Sequence, residues 1–190
     1  MKIILASSSP RRLELLTDEG LRFEVAPPEI DESRLTDEPP SEYVCRLALA
    51  KARAADDTGS LIIGADTVVV LNGEFLNKPT SEAEAMSILR KLSGNLHTVY
   101  TGVAVVCSTC GKAKADYDRT DVRFNDLTDD AIMQYIKTGE PMDKAGAYGI
   151  QGMGSFLVKE IEGELDNVIG LPRKLLRKLI EEHRTCLNKA

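Results

Sequence analysis

One acidic residue stands inside one of the most apolar segments of this chain. Residues 61–71 are mainly Leu, Ile, Val and Ala, which is typical of a strand in a sheet core, and Asp66 lies at their centre within Gly64-Ala65-Asp66-Thr67. An ionised carboxylate in such a low-dielectric position must be paired with cations, bound to a metal or neutralised by a shifted pKa. Each outcome is typical of a functional site, whereas the structural alternative is a carboxylate that caps a turn.

Apolar runs and helix-capping patterns predict the remaining elements. Strands are expected at residues 2–6, 61–71, 97–107, 112–124 and 156–161, and helices at about 10–20, 41–57, 81–94, 128–138 and 172–183. Asn72-Gly73 predicts a two-residue hairpin that returns the chain through residues 74–76, and Asp166-Asn167 predicts a turn. The sequence shows no internal repeat and no low-complexity linker, so we expect one domain over residues 1–190.

Composition and charge exclude several classes of protein. With 190 residues and 43% hydrophobic residues, the chain can bury a core without disulfides or a structural metal. A net charge of −6 argues against general affinity for nucleic acid or anionic membranes, and no apolar run is long enough to cross a bilayer. Residues 1–9 do not resemble a signal peptide. We therefore expect a soluble, cytoplasmic protein without a nucleic-acid or membrane partner.

Two segments are candidates for binding an anionic ligand. Ser9 suits an N-cap and Pro10 a first helical position, so Arg11 and Arg12 would lie at a helix N-terminus, either binding an anion or exposed to solvent. Three glycines in residues 143–152 suit close backbone approach to a ligand.

Lys51 and Gln151 extend this candidate set. Lys51 falls on or beside the apolar stripe of its helix, where it either has a buried partner or extends along the helix edge to solvent. Gln151 could read the edge of a base by paired hydrogen bonds.

Two other patterns carry little weight. Cys107 and Cys110 have Cys-x-x-Cys spacing but lie at an expected hairpin tip without a second pair, which argues against zinc or redox chemistry. The other cysteines, Cys45 and Cys186, are irregularly spaced and do not suggest a disulfide framework. There are only 2 histidines, His97 before an expected strand and His183 on a charged helix, so a histidine metal site or catalytic triad is not expected.

The charged candidates together indicate phosphate and divalent-metal chemistry. They are two carboxylates and five cations: Glu32, Asp66, Arg11, Arg12, Lys51, Lys78 and Lys144. Carboxylate oxygens suit Mg²⁺ or Mn²⁺, while arginine and lysine stabilise phosphoryl oxygens. The chain lacks a Gly-x-x-x-x-Gly-Lys-Ser/Thr loop, which excludes a P-loop protein.

Five short motifs, in order along nearly the whole chain, resemble the Maf family. They are ASSSPRR (6–12), GADT (64–67), KP (78–79), DKAGAYGIQG (143–152) and GLP (170–172). The resemblance implies an α/β fold with an elongated mixed sheet flanked by helices, in two lobes around a central cleft. It also implies a nucleoside triphosphate pyrophosphatase that uses Mg²⁺, Mn²⁺ or Co²⁺, and a homodimer.

The resemblance also implies roles for individual residues. Asp66 matches a general base or water-orienting carboxylate that also contacts the metal with Glu32. The other assignments are Lys51 and Lys78 in catalysis, Ser8, Arg12 and Lys144 in substrate binding, and Arg11, Thr67 and Gln151 in base specificity. The last three resemble the dTTP/UTP branch, so we expect hydrolysis of pyrimidine triphosphates, including modified forms, at the α-phosphorus.

Two alternative functions stay open. The family is also named for inhibition of septum formation, so a non-catalytic nucleotide-binding regulator is one alternative, although Glu32, Asp66 and the lysines together favour an enzyme. A pyrophosphatase for 7-methyl-GTP or other modified purine triphosphates, such as those of inosine or xanthosine, shares the chemistry and differs in the base pocket. Arg11 and Gln151 are the discriminating positions.

Overall fold

The computed structural model describes residues 2–55 and 57–183, and Cys186 lies outside them. Seven strands form a mixed sheet in the order β2-β1-β3-β5-β6-β7, with β4 paired to β3. The strands are β1 (Lys2–Leu5), β2 (Glu24–Val25), β3 (Ser60–Leu71), β4 (Glu74–Leu76), β5 (Leu96–Cys107), β6 (Ala113–Phe124) and β7 (Val158–Glu162). The helices are α1 (Pro10–Asp18), α2 (Pro40–Ala54), α3 (Glu82–Leu92), α4 (Asp129–Ile136), α5 (Leu165–Ile169) and α6 (Arg173–Glu182).

The chain divides into two compact units that share its three long strands. Unit 1 comprises the described residues of Met1–Asp66, Thr101–Asp118 and Gly170–Ala190, and unit 2 comprises Thr67–Tyr100 and Arg119–Ile169. β1 pairs in parallel with β2 and with β3 in unit 1, whereas β4 and β7 pair antiparallel with β3 and β6 in unit 2. This mixed sheet with flanking helices confirms the predicted fold class. The single domain and the cleft stay predictions.

Each unit has its own apolar core. In unit 1, small residues of α2 pack against strand side chains in a cluster of Ile4, Ala6, Ala48, Ala52, Ala55, Ile62, Ala104 and Val106. The core of unit 2 includes Leu89 of α3, Phe124 of β6 and Tyr135 of α4. Among the described residues, no helix is long and apolar enough to cross a membrane.

Most predicted elements are present, and the hairpin has the expected geometry. Leu71 pairs with Glu74 across the turn, in which Asn72 and Gly73 have φ of 50° and 84°. Ser9 is the N-cap of α1, as expected, although Ser7 Oγ is the hydroxyl that accepts the Ser9 N–H, at 3.2 Å.

Two local predictions were wrong. Asp166-Asn167 belongs to helix α5 rather than a turn, and the Asn167 amide is buried and donates to Val99 O at 3.0 Å, so tertiary contacts decide this conformation. Residues 156 and 157 precede β7, because Gly152–Leu157 forms a 3₁₀ helix.

Candidate functional site

Helix α2 lies unusually close to strand β3, and Gly64 makes this possible. A Cβ atom added to Gly64 would lie 2.1 Å from the Ala48 carbonyl oxygen and 2.8 Å from the Ala52 nitrogen. The same helix approaches β5 at Gly102, where an added Cβ would lie 2.3 Å from Val44 O. Any larger residue would push the helix backbone away. The glycine of the GADT motif therefore lets the helix bring its side chains to the strand.

Lys51 uses this close packing to join two carboxylates. Its ammonium nitrogen lies 2.6 Å from Asp66 Oδ1 and 2.7 Å from Glu32 Oε1. The Lys51 and Asp66 side chains are only 13% and 10% exposed, whereas Glu32 is 56% exposed. The lysine thus has a buried partner, which decides between the two interpretations of the helical pattern. Buried charges of this kind persist because each is compensated by the other.

The segment that carries Glu32 is fastened to α2 by side chains that the sequence analysis missed. Tyr43 Oη donates to the Glu32 carbonyl oxygen at 3.1 Å, and Arg46 Nη2 donates to Ser33 O at 3.0 Å. Arg46 also forms a bidentate pair with buried Glu38, at 2.6 and 2.7 Å. Burial raises the pKa of Tyr43 to about 12, so its hydroxyl stays a donor. One helix therefore holds Lys51 and positions Glu32.

The charge state of Asp66 reflects two opposing effects. Burial raises the pKa of the Asp66 carboxyl above its usual range, because the anion loses its hydration. Lys51 and Arg12 oppose this effect on the pKa through their positive charges. A carboxylate whose basicity is raised by burial, beside cations that favour its ionised form, is suited to accept a proton or to orient a water molecule.

Arg12 links three of the five motifs within unit 1. Its guanidinium donates to Gly170 O at 2.8 Å, to Ala65 O at 3.0 Å and to Ser7 Oγ at 3.2 Å. Burial lowers the pKa of Arg12, and the charges of Asp66 and Glu32 oppose that shift. Arg12 therefore fixes the loop before α1 to the strand that carries Asp66, in addition to its predicted contact with substrate. Its neighbours Ser8 and Arg11 are exposed and half-buried, respectively.

The remaining candidates belong to unit 2. Thr67 is half-buried in β3, and Lys78 is exposed just after β4. The Gly146 N–H donates to Asn77 O at 3.3 Å, so the glycine-rich segment runs beside the residue that precedes Lys78. Lys144 is 12% exposed, and its ammonium donates to Glu140 O at 2.6 Å and Asp143 Oδ1 at 2.7 Å.

Gln151 is exposed and directly precedes the Gly152–Leu157 turn of helix. The glycine-rich segment that leads to it is partly 3₁₀-helical, at Glu140–Asp143 and Ala145–Ala147, rather than an irregular loop. The hydrogen bonds that hold this segment were not predicted, because they depend on residues outside the motif.

The carboxylates in unit 1 fit a divalent cation that keeps other ligands. The described residues contain no group of three or more His, Cys, Asp or Glu side chains that could hold a metal. Glu32 and Asp66 nevertheless direct oxygens at one cation, the Lys51 ammonium. Two carboxylates are the protein ligands typical of Mg²⁺, which completes its shell with water and substrate phosphate. The donor set is therefore compatible with the predicted metal.

Cys107, His97 and His183 are buried and contact other parts of the protein. Cys107 is buried at the end of β5, and its N–H donates to Lys112 O at 2.8 Å across the predicted hairpin. His97 is 2% exposed, lies 2.8 Å from the Tyr148 hydroxyl through Nε2, and packs edge-on against Phe124. His183 is buried, with Nδ1 2.8 Å from Leu179 O.

The fold and this site define an α/β protein in which Lys51 lies between the Glu32 and Asp66 carboxylates, and Asp66 also feels the charge of Arg12. This chain belongs to the Maf-like protein family, whose sequence profile matches residues 2–183. The family predicted from the motifs is confirmed.

Curated relatives match the chain over nearly its whole length. A dTTP/UTP pyrophosphatase of Moorella thermoacetica is 53% identical over 181 residues, which cover 94% of this chain and 93% of the relative. Proteins of the same name from Dictyoglomus thermophilum and Caldicellulosiruptor saccharolyticus are 47% and 43% identical over 182 and 189 residues. These matches cover 94% and 95% of this chain, respectively, and 94% of each relative.

Proposed function

We propose that this chain is a nucleoside triphosphate pyrophosphatase that hydrolyses dTTP and UTP to the nucleoside monophosphate and pyrophosphate. The observation that carries the proposal is the buried Asp66 carboxylate held by Lys51 and facing the charge of Arg12. The names of the relatives from Moorella, Caldicellulosiruptor and Dictyoglomus support the same activity and the same pair of substrates.

The chemistry follows from the basicity of Asp66. A water molecule oriented by the Asp66 carboxylate attacks the α-phosphorus, its proton passes to the carboxylate, and the bond between the α-phosphorus and the bridging oxygen breaks to release pyrophosphate. The Lys51 ammonium favours the ionised form of Asp66 in its buried position, since it offsets part of the cost of burial.

A divalent cation is part of the proposal. Glu32 and Asp66 would hold it, and when bound it would neutralise charge on the phosphate oxygens. Metal binding lowers the basicity of a carboxylate, so orienting the water would then be the larger part of the role of Asp66. Mg²⁺, Mn²⁺ and Co²⁺ are all candidates.

The other assigned roles are also proposals. They are Lys78 in catalysis, Ser8, Arg12 and Lys144 in substrate binding, and Arg11, Thr67 and Gln151 in base specificity. The homodimer and the cytoplasmic location stay predictions.

Pyrophosphate release from a panel of triphosphates tests the proposal. The panel contains dTTP, UTP, 5-methyl-UTP, pseudo-UTP, dCTP, ATP, 7-methyl-GTP and the triphosphates of inosine and xanthosine, each with Mg²⁺, Mn²⁺ or Co²⁺. We expect preferential turnover of dTTP and UTP, and a loss of at least about 10²-fold in Asp66→Asn, as is typical for a lost general base.

A second aspartate serves as the control. Asp129 is exposed on α4 and pairs with Arg90, so Asp129→Asn should retain full activity. Thermal unfolding of both variants verifies that they are folded. A folded wild-type protein that releases no pyrophosphate with any triphosphate or metal would contradict the enzyme assignment and favour the non-catalytic alternative. Preferential turnover of 7-methyl-GTP or the inosine or xanthosine triphosphate would contradict the pyrimidine assignment.

A further inference from the structure

Gln151 is exposed, yet the main chain on both sides of it is fixed by the same two side chains. Two residues before it, the Gly149 N–H donates to the Tyr135 hydroxyl at 3.0 Å. Two residues after it, the Met153 N–H donates to Glu140 Oε2 at 3.2 Å. Tyr135 Oη in turn donates to Glu140 Oε1 at 2.9 Å, which closes the arrangement. We call Tyr135 and Glu140 the Tyr–Glu bracket.

Burial, ring packing and a backbone hydrogen bond hold the Tyr–Glu bracket in place. Tyr135 is 2% exposed on α4, where its ring meets Phe156 edge-on at a centroid distance of 6.1 Å. Burial raises the pKa of Tyr135, and the Glu140 carboxylate raises it further, so the hydroxyl keeps its proton. The backbone of Glu140 is held as well, since its N–H donates to Thr138 Oγ1 at 3.1 Å. The acceptor for Met153 therefore has a fixed position.

Glycines let the main chain of this segment approach the bracket closely. A Cβ added to Gly149 would lie 2.9 Å from Glu140 Oε1, and one added to Gly154 would lie 2.2 Å from the Gly149 carbonyl oxygen and 2.8 Å from Tyr135 Oη. Gly152 has a φ of +67°, and an added Cβ would lie 3.3 Å from Glu140 Oε2. Side chains at these positions would separate the main chain from the bracket. Of the three glycines in residues 143–152, Gly149 and Gly152 lie against Glu140 and Gly146 lies against Val69. Close approach of this segment to a ligand stays a prediction.

Glu140 also connects the bracket to Lys144. The Lys144 ammonium donates to the Glu140 carbonyl oxygen at 2.6 Å, and its stem lies against Gly149, where an added Cβ would be 2.8 Å from Lys144 Cε. One residue therefore contacts both the predicted phosphate-binding lysine and the turn that presents Gln151. Glu140 can therefore fix the positions of the Lys144 and Gln151 side chains relative to each other.

From these contacts we infer that Tyr135 and Glu140 are positioning residues for base selection. The inference rests on the proposed function, in which Gln151 reads the pyrimidine base. Paired hydrogen bonds to a base edge require a fixed amide, and displacement by about 1 Å removes much of the discrimination. The bracket supplies that constraint through the main chain on both sides of Gln151.

The test compares base selectivity rather than activity alone. We would measure kcat and KM for dTTP, UTP, dCTP and ATP in the wild type, Tyr135→Phe, Glu140→Gln and Gln151→Ala. Tyr135→Phe removes the acceptor for the Gly149 N–H, and Glu140→Gln replaces one acceptor oxygen with a donor. We expect each to lower the preference for dTTP over dCTP by roughly tenfold, the effect of one lost hydrogen bond to a charged or buried group, mainly through KM.

Tyr117→Phe is the matched control, because Tyr117 is 42% exposed on β6. It should leave the substrate preference unchanged. Hydrogen exchange gives a readout independent of activity: the Gly149 amide should exchange faster in Tyr135→Phe, and the Met153 amide faster in Glu140→Gln.

The outcomes separate the two hypotheses. Wild-type protein without a preference for dTTP over dCTP, or Gln151→Ala that keeps this preference, would overturn the proposed role of Gln151 and this inference with it. If Gln151→Ala loses the preference while Tyr135→Phe and Glu140→Gln retain it, only the inference is wrong. Unchanged exchange at Gly149 and Met153 would likewise overturn it.

Discussion

Two lysines of this chain are almost equally buried and differ in what surrounds them. The side chain of Lys51 is 13% exposed and that of Lys144 is 12% exposed. Lys51 pairs with carboxylates from two other segments, whereas Lys144 bonds to its neighbour Asp143 and to the backbone of Glu140.

The difference shows that two equally buried lysines can have different roles, because one has a buried carboxylate as its partner and the other an exposed one. Lys51 neutralises a carboxylate that is only 10% exposed, so the charge balance of unit 1 depends on it. The carboxylate partner of Lys144 is 60% exposed and does not need the lysine for its solvation. We therefore expect Lys51 to be required for stability and chemistry, and Lys144 to matter mainly when substrate is bound.

Replacing Lys51 should have the largest effect. Lys51→Met leaves Asp66 buried without its direct partner, which should lower the free energy of unfolding by about 3 kcal/mol, as when one member of a buried ion pair is removed. Activity should fall by at least about 10²-fold. The acid limb of the pH–activity profile should move to higher pH, because the ammonium no longer opposes the effect of burial on the pKa of Asp66. Denaturant unfolding with EDTA and pH-dependent kinetics measure these effects.

Lys2 is the matched control for this substitution. It also contacts two carboxylates, Glu24 at 2.7 Å and Asp57 at 2.8 Å, but is 42% exposed. Lys2→Met should change neither stability nor activity measurably. Equal destabilisation by the two variants would show that burial of Lys51 is not what distinguishes it.

A second prediction concerns the acid stability of unit 2. Burial lowers the pKa of His97 to about 4 from 6.5, so the unfolded chain binds a proton between these values that the folded chain does not. Stability should therefore rise with pH through this window and fall as the pH drops from about 6.5 to 4, by at most about 3 kcal/mol. The groups facing His97 are the Tyr148 hydroxyl and the Asp121 carboxylate, which favours the charged form.

The contribution of His97 is measured as a difference between two proteins. Denaturant unfolding of the wild type and His97→Gln between pH 7 and 4.5 isolates it, because the other titrating groups are common to both. The variant should show the flatter dependence on pH. Parallel curves would mean that His97 protonates equally easily in the folded and unfolded chains.

Gly64→Ala tests the packing that brings Lys51 to Asp66. The new methyl group would overlap the Ala48 carbonyl, a backbone atom that can move only with α2, and such overpacking costs about 1–3 kcal/mol. Activity should fall as well, since α2 carries Lys51. Gly59→Ala is the control: its added Cβ meets no described atom within 4 Å, but its φ of +79° strains alanine. That variant should lose stability and keep its activity per folded molecule.

Much of the fold was predictable because local pattern and tertiary structure agree. β3 is mainly apolar and buried on both faces, and the turn at Asn72 and Gly73 needs the positive φ that these residues tolerate. Where the two disagree, the prediction failed. Two-residue strand β2 is too short to produce a pattern, and α5 is held by contacts of Asn167 with residues far away in the sequence.

The site was predictable only in part for the same reason. Helical periodicity placed Lys51 near the buried face, and the apolar run marked Asp66. Nothing local indicates that the two side chains form a pair, or that Gly64 lets the helix approach the strand. Tyr43 and Tyr135 had no sequence signal of their own, because a tyrosine hydroxyl that binds a distant backbone looks like any core tyrosine. The five-residue spacing of Tyr135 and Glu140 indicates a role only when the structure shows that they accept hydrogen bonds from the Gly149 and Met153 amides.

Lys144→Met should have the smallest effect on stability. Methionine keeps the apolar stem that lies against Gly149 and loses the hydrogen bond to Glu140 O, at a cost of roughly 1 kcal/mol. If Lys144 binds phosphate as proposed, KM for dTTP should rise about tenfold while the melting temperature falls by only about 2–4 °C. The opposite pattern, a clear loss of stability with unchanged KM, would assign Lys144 a structural role like that of Lys51. Because Lys51→Met should reduce stability and kcat together, measuring both quantities in both variants decides whether the two buried lysines differ as their partners indicate.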